Sequence, residues 1–246
     1  MPEASPLAPA FYATRSRGLR RDIIALLHPP YTAWHLSYVL IGAGLAPHVN
    51  LVRLGATLVA FFFAVGISAH ALDELRGRPL RTQIPSPVLV AVVVAGLAGA
   101  LALGVVGVSQ VGWTLIPFMV AGPILVIGYN AELFGGLMHT DFGFAAGWGA
   151  FPVLTGYVAQ AGTLALAPVL AAVGAFALSA AQRRLSTPAR NIRRRALGVE
   201  GSITFGDGRT VPISADALIQ PLEGALRATS WAIILLAAAM AVARLT

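Results

Sequence analysis

Long apolar runs separated by short polar segments dominate the pattern of this chain. A transmembrane helix needs about 20 mostly apolar residues. Seven such runs can be marked along the sequence: Trp34–Leu51, Leu54–Leu72, Val88–Val106, Trp113–Tyr129, Phe144–Ala159, Leu164–Ala181 and Ser230–Val242. The pattern therefore predicts an all-α, polytopic transmembrane helix bundle of about seven spans.

Two polar segments flank the predicted bundle. The first ends in a short basic, amphipathic stretch, Gly18–Leu27, for which we expect a helix lying at the membrane surface. The second is rich in arginine and contains Ser202–Ser214, whose alternating residues around a Gly-Asp-Gly turn predict a small hairpin. The sequence thus divides into an N-terminal cytoplasmic or interfacial segment (1–30), a transmembrane core (31–182), a basic cytoplasmic insert (183–228) and a C-terminal transmembrane helix (229–246).

Composition and charge agree with a membrane protein. Hydrophobic residues make up 57% of the chain and charged residues 11%, against about 25% charged in soluble domains. The net charge of +7 does not indicate a nucleic-acid partner, because the arginines lie between apolar runs. The arginine-rich segments all fall on one side of the predicted bundle, which the positive-inside rule assigns to the cytoplasm. We expect a protein of the cell inner or plasma membrane with its N-terminus cytoplasmic and its C-terminus outside.

One polar cluster stands out at the end of the second apolar run. His70, Asp73 and Glu74 are spaced i, i+3 and i+4, so a helix places them on one face, and Arg76 and Arg78 follow directly. Carboxylate oxygens suit Mg²⁺, and guanidinium groups fork onto phosphate oxygens. The alternative interpretation is a solvated helix end with ion pairs along the helix.

The stretch His70–Pro85 resembles the first aspartate-rich region of the UbiA superfamily of intramembrane prenyltransferases. In that family Asn-Asp, two residues, Asp, three residues and Asp precede Arg-Pro-Leu; here Asp73 matches the second aspartate and Arg78 begins the Arg-Pro-Leu. His28–Pro47 is similar to the family's first span, and Gly128–Ala159 to its fourth loop and fifth span.

The resemblance implies an activity and a set of site residues. It implies a prenyltransferase that takes an isoprenyl diphosphate and a hydrophobic acceptor, aromatic or lipid, at the cytoplasmic face, with Mg²⁺ as cofactor. Asp73 and Glu74 would bind the metal, with His70 beside them in the catalytic set. The substrate-binding residues would be Arg76, Arg78, Tyr129, Asn130, Arg183, Arg184 and Arg190.

The last three arginines occupy a special position. The family has a second aspartate motif after its sixth span, where this chain has the basic stretch Gln182–Arg190. These arginines would supply positive charge to the diphosphate directly. The alternative is a basic segment, 183–195, that contacts anionic lipid head groups, and Tyr129 has the alternative of an interfacial anchor.

Other functions stay open at this point. His139 and Asp141 could join His70 and Asp73 in a transition-metal site. The chain could also be a non-catalytic membrane lipid-binding or assembly protein that retains the fold. A small transporter is disfavoured because no apolar run has an acidic residue near its middle and no internal repeat is visible.

Overall fold

The computed structural model describes residues 8, 10, 12 and 18–244 of the chain. Within them, eight helices and one hairpin follow in order: α1 (Leu19–Leu27), α2 (Pro29–Gly44), α3 (Leu51–Leu75), α4 (Ser86–Val111), α5 (Trp113–Asn130), α6 (Asp141–Ala161), α7 (Leu166–Arg195), β1 (Ser202–Thr204), β2 (Thr210–Pro212) and α8 (Ala215–Ala243). A further helical turn covers Leu133–Gly136. Two helices contain a π-helical segment, α3 at Phe62–Ala69 and α6 at Ala146–Ala150.

Six helices of the described chain, α3 to α8, are long and apolar enough to cross a membrane. The predicted first run corresponds to α2, which has 16 residues and is shorter than the usual span. Each of the seven predicted runs therefore contains a helix, and the prediction of an all-α transmembrane bundle is confirmed.

The basic insert has more helix than the sequence pattern predicts. Helix α7 continues through the polar stretch to Arg195, and α8 begins at Ala215, where the Ser214 side chain accepts a hydrogen bond from Ala217 N–H. The stretch contains Pro188, but most of its residues are arginine, glutamine, leucine or alanine, which are good helix formers, and the helix continues where the apolar run stops. The hairpin lies between these helices at the predicted place, with Ile203 opposite Val211.

Helix α2 lies at the centre of the bundle, against α6 and α8. A Cβ on Gly42 would lie 2.0 Å from the Val153 carbonyl oxygen, and one on Gly156 would lie 2.4 Å from the Val39 carbonyl oxygen. The two backbones therefore approach so closely that only glycine fits at these two positions. Small residues at helix contacts are the usual way to pack helices in lipid.

The two ends of the bundle differ in character. At one end, α1 packs beside α2 and is hydrogen-bonded to the loop after α3. At the other end, Arg244 donates to the carbonyl oxygen of Gly44, the last residue of α2, at 2.8 Å. The beginning and the end of the continuous described segment thus lie at opposite ends of the bundle.

Candidate functional site

A polar pocket of about 360 Å³ lies at the end of the bundle where α2 begins. It is enclosed by the ends of α3 and α5 and by the basic half of α7. Among the described residues that line it, arginines outnumber carboxylates two to one: Arg76, Arg183, Arg190, Arg193, Arg194 and Arg195 against Asp73, Glu132 and Glu223. The pocket is therefore positively charged and suited to an anion.

A second cavity, also of about 360 Å³, lies toward the opposite end of the bundle, between α3, α4, α5 and α6. Its walls are almost entirely apolar, with Phe61, Val65, Leu97 and Val126 among them. Polar side chains line it at the far end, including Arg53, which donates to the Gln110 and Gln160 carbonyl oxygens. A cationic pocket and an apolar cavity in series fit an amphiphile with an anionic head and a hydrocarbon tail.

The two neighbouring carboxylates at the end of α3 have different surroundings. Asp73 is half-buried and lines the polar pocket, within electrostatic reach of Arg183, Arg190 and Arg194. Glu74 is fully buried and does not line the pocket. Its carboxylate accepts hydrogen bonds from Leu80 N–H (2.9 Å), Thr82 N–H (2.8 Å) and the Thr82 hydroxyl (2.7 Å).

This geometry corrects the expectation that Asp73 and Glu74 together face a cation. Successive positions of a helix point about 100° apart, so the two carboxylates cannot share one direction. Glu74 instead holds the loop that follows α3. Arg78 acts on the same loop, since its guanidinium donates to the Ile84 carbonyl oxygen and to the Ser86 hydroxyl, and it too lies outside the pocket.

The loop is also fastened to α1. The buried carboxylate of Asp22 accepts from the Gln83 N–H at 2.7 Å and pairs with Arg21 at 2.8 Å. The Arg21 guanidinium donates in turn to the Leu80 carbonyl oxygen. Helix α1 therefore holds the loop after α3 in place.

Two histidines stack on the pocket wall. His70 lies against His28, which connects α1 to α2, with 4.2 Å between ring centroids and 15° between ring planes. His28 Nδ1 shares a hydrogen bond with the Tyr12 hydroxyl at 2.8 Å. Burial lowers the pKa of His28 well below its usual range, and the charge of the neighbouring His70 and of the pocket arginines lowers it further. These surroundings favour the neutral form of the His28 imidazole.

Tyr129 connects α5 to the basic half of α7. Its hydroxyl accepts a hydrogen bond from the Arg183 guanidinium, which also pairs with Asp141. The Tyr129 ring stacks on His139 at 4.4 Å and touches Trp148 at 4.5 Å. Asn130, next along α5, is buried on the pocket wall and donates to the Val126 carbonyl oxygen.

Helix α7 separates the predicted arginines into two groups. Arg183 and Arg190 line the pocket, one about two turns after the other. Arg184 is exposed and lies outside the pocket. Arg194, another helical turn further on, also lines the pocket, whereas the sequence pattern assigns it no special role.

No preformed metal site of three or more His, Cys, Asp or Glu side chains exists among the described residues. The alternative transition-metal set does not assemble, because Asp141 pairs with Arg183 and His139 Nδ1 donates to the Tyr129 carbonyl oxygen. Two of the three carboxylates that line the pocket are also in ion pairs, Glu132 with Arg76 and Glu223 with Arg193.

Sequence reasoning missed several pocket residues. His28, Tyr31 and His35 come from the start of α2, and Trp148 comes from the π-helical segment of α6. The His28-Pro-Pro sequence marks a helix start, but it does not reveal that the imidazole reaches the end of α3. Glu223 pairs with Arg193 through two hydrogen bonds and fastens α8 to α7, which the intervening hairpin separates in sequence.

The fold is similar to that of a solved structure, a UbiA homolog from Archaeoglobus fulgidus bound to Cd²⁺. The similarity has a TM-score of 0.53 and 16% identity, and it covers 91% of this chain and 85% of that chain. No protein-family model and no curated protein matches the chain. The chain is thus an all-α membrane bundle with a UbiA-like fold.

Proposed function

We propose that the protein is an integral membrane prenyltransferase that binds an isoprenyl diphosphate and transfers its prenyl group to an aromatic or lipid acceptor. The diphosphate head occupies the polar pocket, and the isoprenoid tail extends toward the apolar cavity. The observation that carries this proposal is the series of an arginine-rich pocket and an apolar cavity inside one membrane bundle. The UbiA-like fold supports it.

The arginines of α7 provide the charge for the head group. Arg183, Arg190 and Arg194 line the pocket from one helix, and Arg76 faces them from the end of α3. A guanidinium is always charged and binds phosphate oxygens through two parallel hydrogen bonds. Because Arg76 and Arg183 already pair with Glu132 and Asp141, these arginines balance only part of the charge of a diphosphate.

Asp73 fits one divalent cation that arrives with the substrate. Mg²⁺ is commonly bound by one or two carboxylates together with substrate phosphates and water. Asp73 is the one carboxylate on the described pocket wall that is not in an ion pair. A bound Mg²⁺ would add positive charge to the leaving diphosphate, and Glu74 would take no part.

The chemistry that this arrangement supports is ionisation of an allylic diphosphate. The C–O bond breaks, the diphosphate leaves with the electron pair, and the acceptor then bonds to the allylic carbon and loses a proton. The faces of Tyr129, Phe144 and Trp148 meet at the inner wall of the pocket, with Phe144 and Trp148 nearly parallel at 5.9 Å. Aromatic faces stabilise a cation in such a water-poor site.

The arginine-rich end of the bundle is placed at the cytoplasmic face by the positive-inside rule. The protein then has its N-terminus in the cytoplasm and its C-terminus outside, in the cell inner or plasma membrane. Reporter fusions at the two termini test this orientation. Reporters that respond on the same side of the membrane would contradict it.

The binding proposal is tested with two ligands that share one tail. Geranylgeranyl diphosphate should bind to the purified protein in nanodiscs of neutral lipid at least about a hundredfold more tightly than geranylgeraniol, since several charge-assisted hydrogen bonds are lost with the head group. Equal affinities would contradict a diphosphate site. Turnover is followed separately, by mass spectrometry of prenylated products from membrane extracts that supply the acceptor.

A second candidate is a non-catalytic protein that binds the same amphiphile. It is favoured by the basic stretch Gln182–Arg190, which stands where the resembling family has its second aspartate motif. Tight binding of the diphosphate without release of pyrophosphate, in the presence of Mg²⁺ and extract, would support this candidate over the enzyme.

A further inference from the structure

Trp148 is the single described residue that lines both the polar pocket and the apolar cavity. Its side chain is almost fully buried between them. On the pocket side it touches Tyr129 and Phe144, and on the other side it packs in one cluster with Phe61 and Val65. The indole therefore forms the wall that divides the two spaces.

The backbone that carries Trp148 is held on two sides. Its carbonyl oxygen accepts a hydrogen bond from Nδ1 of the buried His35 on α2 at 2.8 Å. At the next residue, a Cβ on Gly149 would lie 2.6 Å from the Ala175 carbonyl oxygen, so the segment is pressed against α7. Any opening between the two spaces must therefore come from the side chain.

The apolar cavity provides open space next to the Trp148 side chain. Trp148 lies in the π-helical segment Ala146–Ala150, a local irregularity that often marks functional positions in helices. Gly147, directly before it, also lines the apolar cavity and adds no side chain there. The apolar cavity is thus the open space that lies directly beside the indole.

We propose that Trp148 is a gate that admits the isoprenoid tail to the apolar cavity and so sets which tail lengths bind. This inference rests on the proposed function. With the indole in its present position, a short tail stays in the polar pocket, and a long tail enters only when the indole rotates. Trp148 is thus a specificity-determining residue, and the cavity beyond it sets the affinity for long tails.

The experiment compares dimethylallyl diphosphate with geranylgeranyl diphosphate in nanodiscs of neutral lipid. In Trp148→Ala, the geranylgeranyl probe should associate at least about tenfold faster, because a conformational step that slows association is removed. The readout is the ratio of the geranylgeranyl to the dimethylallyl association rate, which should rise at least about tenfold because only the long tail passes the indole. Trp148→Phe, which keeps an aromatic filler and guards against misfolding, should show a smaller acceleration in the same direction.

A second pair of variants tests the cavity itself. Gly122 lines the apolar cavity, and a Cβ there would make an ordinary contact of 3.9 Å with the Phe151 ring, so Gly122→Leu adds its side chain to the lining of this space. This substitution should weaken the affinity for geranylgeranyl diphosphate at least about tenfold. Excluding two methylene groups of the tail from the cavity is already enough for that loss. The matched control is Gly174→Leu on the exposed face of α7, with open space around it, which should change neither probe.

The results distinguish a failure of the gate from a failure of the proposed function. Unchanged association of the geranylgeranyl probe in both Trp148 variants would overturn the gate. Unchanged affinity in Gly122→Leu would show that the tail does not enter the cavity, and it would overturn the gate while the diphosphate site stands. Failure of both probes to bind the wild-type protein would overturn the proposed function and this inference with it.

Discussion

Replacing Arg190 by glutamine tests whether the polar pocket is a specific anion-binding site or whether α7 is only a basic helix that attracts anions without a defined site. Arg190 lines the polar pocket, and the one hydrogen bond that its guanidinium makes to a described residue is a long one, 3.4 Å, to the Thr187 hydroxyl. Its charge is therefore available to a ligand. Arg184, six positions earlier on the same helix, is exposed and outside the pocket, so Arg184→Gln changes the net charge equally without touching the site.

The expected loss follows from the strength of charge-assisted hydrogen bonds. Each is worth about 1.5–3 kcal/mol, so Arg190→Gln should weaken binding of geranylgeranyl diphosphate by about ten- to a hundredfold. Arg184→Gln should change it by less than about threefold, since an exposed charge is screened by salt. The measurement is an equilibrium titration in nanodiscs of neutral lipid, where anionic head groups cannot compete.

The same substitution has a second signature in the protein without ligand. Arg194 lies next to Arg190 on the pocket wall and is repelled by it. Loss of one charge relieves that repulsion, so Arg190→Gln should leave the melting temperature of the empty protein unchanged or slightly raised. Equal losses of binding in the Arg190 and Arg184 variants, or a large fall in melting temperature, would refute the reasoning.

Three further predictions follow from single side chains. Asp73→Asn should abolish the difference in geranylgeranyl diphosphate affinity between Mg²⁺ and excess chelator, and a Mg²⁺ effect that persists would contradict its role. Glu74→Ala should lower the free energy of unfolding by about 2–4 kcal/mol because it leaves three buried donors unpaired, whereas Glu132→Ala, on the exposed rim, should lower it by less than about 1 kcal/mol. Because burial lowers the pKa of His28, only the unfolded chain takes up this proton as the pH falls below about 6.5. Stability should therefore fall from that pH downward, and less steeply in His28→Gln than in the wild-type protein. Identical slopes would contradict this.

Hydropathy alone predicts the bundle, since a run of about 20 apolar residues is seldom found outside a membrane span. The hydropathy criterion does not detect the polar ends of α7 and α8. Their polar turns, such as the stretch from Gln182 to Arg195, carry no apolar signal, although they continue the helices beyond the apolar runs. Hydropathy therefore detects only the apolar part of each helix. The polar continuation is predictable only from the helix propensity of its residues.

The site is partly predictable from the resemblance to the UbiA superfamily. That resemblance groups Asp73 with Arg183 and Arg190, and the structure brings them to one pocket. Glu74 and Arg184 are neighbours of these residues in sequence, yet each points elsewhere, Glu74 into the loop and Arg184 outward. Their directions depend on the loop and on the rotation of α7, which no local pattern encodes.

Trp148 has no signal in the sequence. One aromatic residue in an apolar run is typical of core packing, and only the three-dimensional arrangement shows that it lies between two cavities. The same holds for His28, whose contact with His70 joins segments that are far apart in the chain. Contacts of this kind become visible when the helices are assembled.

The most direct test of the account is an experimental structure of the protein with a non-hydrolysable geranylgeranyl thiodiphosphate. The account predicts density for the diphosphate among Arg183, Arg190 and Arg194, and density for the tail passing a rotated Trp148 into the apolar cavity. Head-group density at the exposed surface of α7, or a tail that lies along the lipid-facing side of the bundle with both cavities empty, would contradict it.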